Sequence, residues 1–340
     1  MDAAEPIAVF GAGSVGCFIG GTWTAAGLAV RFIGHSKIGD DLRENGLTLT
    51  DFTGWKAELR DVDYRCDSLD LGDAPIILVT VKSGATADVA AEVAKHGREG
   101  ATVISFQNGI SNVEVLQRAL GDRFNILRGM VGFNVAYLGG GRFHKGVAGK
   151  LWTERNAMTE ALAKRVAGGP AALELSDDML GLAWGKLLIN LNNAVNALSG
   201  RTLLEELRRN GYRRVWAAAI HEGLKILGQA GIRPSRVGPV APHLFVRLIE
   251  LPDWLFNPIF FRLWKVDTKA RSSMADDLGQ GRKTEIDHLN GELVRLAETV
   301  GMKAPVSSAI VELVARAEAG ADPWSPEALR REVLGSSRSG

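Results

Sequence analysis

The chain has 340 residues, of which 46% are hydrophobic and 23% charged, with a net charge of +1. Such a balance builds a folded core, on a length that suggests two domains, and it excludes bulk electrostatic attraction to nucleic acid or anionic membrane. Two cysteines without metal-like spacing, Cys17 and Cys66, suit a reducing compartment, give no support to a disulfide framework, and point to no metal site.

The opening MDAAEP is acidic and runs straight into an apolar segment, unlike a signal peptide, so a cytoplasmic location is expected. IAVFGAG reads as a strand ending in glycines. SVGCFIGGTWTAAG has helical spacing and stops at Gly27. LAVRFIG is a second strand. GLTLTDFTGWKAELRDVDY alternates like a hairpin with DFTG as its turn. APIILVTVK is a continuous apolar strand ending at Lys82, GATADVAAEVAKHG a helix, and ATVISFQNG another buried strand. More short strands are expected through NILRGMVGFNVAYL and FHKGVAGKLW, with GGPAALEL as the last. Strands that are apolar throughout, alternating with helices, predict a parallel sheet covered on both faces.

Beyond residue 177 the pattern turns helical, with runs over 178–199, 203–230 and 283–300, the first opened by SDD at 176–178. This predicts two domains, 1–177 and 178–340. The segment FVRLIELPDWLFNPIFFRLW, 245–264, is rich in aromatics. Four charges and two prolines interrupt it, so it reads as two short helical pieces rather than a membrane span. The final GSSRSG is expected to fray.

Three features carry chemistry. First, Gly11, Gly13 and Gly16 form G-x-G-x-x-G, with Ala12, Ser14 and Val15 between them, after a strand and before a helix. Gly11 allows the tight turn, Gly13 lets backbone approach a pyrophosphate, and Gly16 lets the helix pack on the strand. Amides at the helix start then meet phosphate at the positive end of the dipole. The second strand leads into Arg31, His35, Ser36 and Lys37 with no acid before Asp40. That basic cluster suits a 2′-phosphate, so NADP(H) is expected over NAD(H).

Second, WGKLLINLNNAVNALSG, 184–200, places Lys186 and four asparagines in an apolar helix. Asparagine is about 0.6 kcal/mol worse than alanine in a helix, and an unpartnered buried amide costs about 1–3 kcal/mol more. On an ideal helix Asn190 and Asn193 lie on the Lys186 face, roughly 40° to one side of it and 20° to the other, while Asn192 and Asn196 point elsewhere. One amine and two amides on a face can hold a carbonyl and its alkoxide. They can equally tie the helix to its surroundings, and spacing alone does not choose. Third, ARSSMADDLGQGRKTEIDHLNG, 270–291, sets Ser272 and Ser273 before a helical run and Glu285 between basic and apolar residues.

Together, GAGSVG, VTVK at 79–82, FQNG at 106–109, WGKLLIN at 184–190 and SSM…TEIDHLNG at 272–291 resemble the ketopantoate (2-dehydropantoate) reductase family, from about residue 6 to 315. The resemblance implies an α/β Rossmann-type dinucleotide-binding domain followed by an all-helical domain similar to 6-phosphogluconate dehydrogenase C-terminal domains. It implies NADPH-dependent reduction of a 2-keto acid on the way to pantothenate and coenzyme A. By the same likeness Lys186 is the general acid, Glu285 contacts the substrate hydroxyl, the lysine and the cofactor side, and Ser273 binds the substrate carboxylate. Asn190 lies on the lysine face, Asn108 lies by the nicotinamide and substrate, and Lys82 lies on the cofactor side.

Three positions depart from the family pattern. The residue eight after the lysine is Ala194, so Asn193 by face or Asn196 by motif takes the second amide role. Ala270 stands where an asparagine can precede the serine, and His35 stands where an arginine often reads the 2′-phosphate, leaving that task to His35, Ser36 or Lys37. The expected substrate is therefore 2-dehydropantoate, or else another branched or aromatic 2-keto acid, as in the similar mandelate dehydrogenases. A dinucleotide sensor without turnover would need none of Lys186, Ser273 and Glu285. The partners expected are a small keto acid and, beyond a monomer, a second copy of the chain.

Overall fold

The computed structural model describes residues 5–238, 240–263 and 267–336. The expectations for the first four residues, for Trp264 and for the closing SRSG fall outside them. By its internal contacts the chain divides into two compact units, Met1–Met179 and Leu180–Gly340.

The N-terminal unit runs β1 (Ile7–Phe10), α1 (Ser14–Ala25), β2 (Val30–Ile33), α2 (Ser36–Asn45), β3 (Leu47–Asp51), β4 (Lys56–Leu59), β5 (Asp63–Arg65), β6 (Ile76–Val79), α3 (Thr86–His96), β7 (Thr102–Ser105), α4 (Asn112–Leu120), β8 (Asn125–Val131), β9 (Val135–Tyr137), β10 (Arg142–Lys145), β11 (Leu151–Glu154), α5 (Ala157–Arg165) and β12 (Leu173–Ser176). Eight strands form one sheet in the order β12-β11-β8-β7-β6-β1-β2-β5. From β8 to β5 all neighbours are parallel; β11 joins β8 antiparallel.

The apolar strands are continuous because both faces are covered. Ile7, Val9, Ile76 and Leu78 enter one core with Phe18, Trp23 and Phe32. The alternate residues Ala8, Ile77 and Val79 enter the other, with Val89 and Val93 of α3 and Leu116 of α4. Chain order reverses at β1, which lies between β2 and β6, so the ends of β1 and β6 flank the crevice where open α/β sheets bind ligands.

The expected hairpin is only partly one. β3 and β4 pair antiparallel around DFTG, where the Asp51 carboxylate accepts from the Thr53 and Trp55 amides at 2.8 and 3.0 Å. They belong, however, to a second sheet, β4-β3-β10-β9. Its Leu47 and Leu49 press on α1 at Gly21, where a Cβ would lie 2.6 and 2.8 Å from their methyl groups. The continuation to Tyr64 is β5, which instead joins the main sheet beside β2.

The C-terminal unit is helical: α6 (Met179–Asn190), α7 (Asn192–Ser199), α8 (Leu203–Leu207), α9 (Asn210–Gln229), α10 (Pro242–Ile249), α11 (Asp253–Leu263), α12 (Ser273–Gly279), α13 (Asn290–Thr299), α14 (Pro305–Glu318) and α15 (Pro326–Ser336). Each of the three long runs read from sequence is broken. The first divides at Leu191 and the second after α8, while the third begins as a short 3₁₀ turn, Ile286–His288. The aromatic segment does form two helical pieces, α10 and α11. Phe245 meets Trp216 of α9 edge to face at 5.1 Å, and Arg213 stacks over Phe256 at 4.0 Å. Among the described residues no helix is long and apolar enough to cross a membrane.

Candidate active site

The loop joining β1 to α1 uses its three glycines for different reasons. Gly11 has φ +98°, and a Cβ there would lie 2.4 Å from Val81 Cγ1. At Gly16 a Cβ would lie 2.6 Å from Thr80 Oγ1 and 2.9 Å from Val9 Cγ1, so helix and strand pack only because it is absent. Thr80 Oγ1 also donates to the Gly11 carbonyl at 2.8 Å, tying the loop to the end of β6. Gly13 is unlike both. Its φ of −87° suits any residue, and a Cβ would meet nothing closer than the Gly11 carbonyl at 3.8 Å. Neither backbone nor neighbours require glycine there. What the missing side chain leaves is open space over the first turn of α1, whose N-terminus carries no side-chain cap and no acidic residue. Those amides and that space fit a pyrophosphate.

At the end of β2, His35 occupies the N-cap of α2, and Ser36 and Lys37 form its first turn, all three exposed. Arg31 does not join them. Its guanidinium is committed to Asp63 at 3.0 Å, to Asp73 and to the Asp70 carbonyl, so it leaves the basic cluster in which the sequence had suggested it. The end of β5 packs beside this loop through backbone, while the Arg65 guanidinium, like that of Arg31, is committed to Asp63, at 2.6 Å. Gly34 N donates to the Arg65 carbonyl at 3.1 Å, and Tyr64 Oη donates to the His35 carbonyl at 3.0 Å. No sequence signal marked Tyr64 and Arg65, because Tyr64 closed the run read as a hairpin and Arg65 followed it.

Lys82 and Asn108 follow β6 and β7. Lys82 is exposed and caps a short 3₁₀ turn, Ser83–Ala85. The Asn108 carbonyl accepts from Ser83 Oγ at 2.8 Å and from Asn112 Nδ2 at 2.5 Å. Gln107 is buried between Ser105 and Thr86, accepting from one and donating to the other. In FQNG the glutamine therefore locks the two loops together and the asparagine is the half-buried residue beyond it.

In the C-terminal unit the interruption at Leu191 is short: its amide still donates to the Leu187 carbonyl at 3.0 Å. Leu191 is itself in the right-handed helical region (φ −56°, ψ −23°), so α7 follows α6 through a helical residue. Asn190 and Asn193 are both half-buried. Asn192 and Asn196 are structural. Asn192 Nδ2 donates to Glu206 Oε2 at 3.1 Å. Asn196, fully buried, donates through Nδ2 to the Arg201 carbonyl at 3.2 Å and to Glu206 Oε2 at 3.4 Å, and through Oδ1 accepts the Ser272 amide at 2.9 Å. Its amide is occupied at both ends, so Asn196 is withdrawn as a substrate contact and Asn193 remains of the two.

Ser272 caps α12, accepting from the Ala275 amide and donating to the Asn193 carbonyl at 3.0 Å. Ser273, the next residue, is exposed at the first position of the helix. Glu285 stands just before the 3₁₀ turn, not on a helix as its surroundings suggested. Its predecessor Thr284 donates amide and hydroxyl to Glu318 Oε1 at 2.8 and 2.7 Å. Burial lowers the Lys186 ammonium from the ordinary 10.5 to about 8, and the Glu285 carboxylate opposes that fall by favouring the charged form. The fold thus brings Lys186 and Glu285, 99 positions apart, into electrostatic reach. The result is an amine able to hold or yield a proton near neutral pH.

A mostly parallel sheet with a glycine loop shaped for phosphate, followed by a helical unit, defines the class: a protein with a Rossmann-type dinucleotide-binding domain. Residues 7–157 match the model of the ketopantoate reductase PanE/ApbA family and residues 178–318 the model of its C-terminal part. The chain belongs to that family. It is 27% identical over 325 residues to a 2-dehydropantoate 2-reductase of Archaeoglobus fulgidus, covering 93% of this chain and 99% of the relative. To one from Pyrococcus horikoshii it is 25% identical, covering 91% and 96%. Among solved structures, a PanE/ApbA family ketopantoate reductase of Ralstonia eutropha superposes with a TM-score of 0.79 at 26% identity, covering 93% of this chain and 99% of that one. The fold is shared as well by a D-mandelate dehydrogenase solved with NADH and anilino(oxo)acetate, with a TM-score of 0.78 at 19% identity and the same coverage.

Proposed function

We propose that the protein reduces 2-dehydropantoate to pantoate with NADPH, with Lys186 as the general acid. The observation that carries this reading is the Lys186 amine, brought by burial to about 8 and set against Glu285. A bound dihydronicotinamide supplies the hydride that reduces the keto carbon. The Lys186 ammonium polarises the carbonyl oxygen beforehand and gives it a proton afterwards, so no free alkoxide has to form. Glu285 holds that ammonium charged and accepts a substrate hydroxyl. Ser273 and Asn193 bind the carboxylate end, and Asn190 supports the reacting oxygen. The backbone from Gly11 to Gly16 holds the pyrophosphate. His35, Ser36 and Lys37 meet the 2′-phosphate, while Lys82 and Asn108 lie on the nicotinamide side. A homodimer in the cytoplasm is the expected assembly.

A second reading, a bulkier branched or aromatic 2-keto acid, draws support from a cavity of about 230 Å³ beside the lysine helix. Gly185, Leu188, Ile189, Trp216, Phe245 and Phe260 line it, and it offers an aromatic group an apolar surface. One experiment decides between them: cofactor oxidation followed by absorbance with 2-dehydropantoate and a panel of 2-keto acids, each with NADPH and NADH. Turnover of 2-dehydropantoate with NADPH supports the first reading. Preference for an aromatic acid supports the second, and no turnover on any acid removes both. Lys186→Ala should lower kcat roughly 10²–10⁴-fold with cofactor affinity retained.

A further inference from the structure

Glu206, on α8, is a buried acid that the reaction above does not use. Its exposure is 0%, and its short helix packs against α7 and α9. From α7, which carries no titratable side chain, Asn192 and Asn196 both donate to Oε2. From α9, Arg213 lies close enough to act on its charge, yet gives its donors to the carbonyls of Leu207, Ile249 and Leu251 and to Asp253. Tyr212, also on α9, donates to the Trp324 carbonyl and is engaged by the cationic side chain of Arg201, whose own carbonyl shares the Asn196 amide with Glu206. On the helix itself Glu205 is engaged with Thr202. Glu206 Oε1 and Asn192 Oδ1 have no hydrogen-bond partner.

Both of those atoms are acceptors if the carboxyl is ionised, and two buried acceptors cannot satisfy each other. One proton on Oε1 changes this. Oε1–H then donates to Asn192 Oδ1 while Asn192 Nδ2 donates to Oε2, closing an acid–amide pair that leaves neither atom orphaned. The same Oε2 receives Asn196, whose Oδ1 holds the Ser272 amide, and Ser272 Oγ holds the Asn193 carbonyl. A continuous chain of hydrogen bonds therefore runs from Glu206 to the start of α12.

We propose that Glu206 is a positioning residue, kept as the neutral carboxylic acid in a cyclic pair with Asn192, and that through Asn196 it sets the start of α12 and with it the Ser273 hydroxyl. The assignment of Ser273 to the substrate carboxylate rests on the function proposed above; the charge state of Glu206 does not. Burial acts in the same direction, raising this carboxyl to about 8.

The test compares the full chain with Glu206→Gln and Glu206→Leu. Glutamine reproduces the neutral pair, its amide donating to Asn192 Oδ1 and its carbonyl accepting in place of Oε2; leucine removes both. In carboxyl-carbon NMR, the resonance that vanishes in Glu206→Gln should still be protonated at about pH 7. A resonance that titrates in the ordinary glutamate range overturns the proposal. Hydrogen exchange at residues 272–275 should stay slow in Glu206→Gln and quicken in Glu206→Leu; equal exchange in wild type and both variants overturns the link to α12. In kinetics, the wild-type KM for the keto acid should rise about tenfold between about pH 7 and pH 9 as the acid ionises, with that of Glu206→Gln staying flat. A KM rise shared by Glu206→Gln also overturns it. If leucine prevents folding, the glutamine and wild-type profiles decide alone. If the chain turns over no 2-keto acid, the functional reading fails, while the NMR and exchange results still decide the state and reach of Glu206.

Discussion

The pH dependence of the proposed reaction follows from Lys186. With its ammonium lowered to about 8, about nine-tenths of the molecules carry the proton at pH 7 and about one-tenth at pH 9. If that proton goes to the substrate oxygen, kcat for reduction should fall about tenfold over this interval. In the reverse direction the free amine is the base, so oxidation should quicken over the same interval. Glu285 supplies a second test. Its carboxylate holds the amine up against burial, so Glu285→Gln leaves burial unopposed and moves the falling limb of reduction below 8. Initial rates at saturating cofactor and keto acid, at constant ionic strength from about pH 6 to 10, measure both effects. Glu206 titrates in the same region, so the limb in kcat must also be present in Glu206→Gln, where that acid is gone. A flat reduction profile, or a limb that Glu285→Gln moves upward, would refute the role of Lys186.

Three further outcomes are expected. Gly13→Ala meets no protein atom closer than 3.8 Å, so it should leave the melting temperature within a degree or two while weakening cofactor binding about tenfold or more; unchanged binding by fluorescence titration would remove the pyrophosphate from this loop. Glu206 is raised from 4.5 to about 8, so its contribution to stability is complete below about pH 4.5 and declines as pH rises to about 8, by an upper limit of about 5 kcal/mol; Glu206→Gln should flatten that slope in denaturant unfolding, and an unaltered slope would show the acid ionised in the fold. Glu318→Ala frees the Thr284 amide and hydroxyl beside Glu285, so kcat/KM should drop roughly tenfold with the cofactor KM unchanged, and rates equal to wild type would show that this anchor does not position Glu285.

Much of the fold and part of the site were legible because their causes are local. Runs such as IILV in β6 are apolar throughout because both sheet faces are covered, and that composition is visible without coordinates. The glycine loop is legible because a positive φ at Gly11 and a close approach at Gly16 leave glycine as the residue that fits. The Lys186 and Glu285 motifs were legible as a family pattern, although nothing in their spacing says that they meet. The rest depended on which distant groups share a hydrogen bond. A helical wheel shows which way Asn192 and Asn196 point, but not that Glu206 and Ser272 draw them into a network of their own. Arg31 looked free for a phosphate until Asp63 and Asp73 claimed it, and β5 looked like hairpin until it paired with β2. Periodicity and backbone strain are written into neighbouring residues. The partner of a buried amide or charge is chosen only when chain segments far apart in sequence exclude water together, because the cost of leaving such a group unpaired arises only inside the folded core.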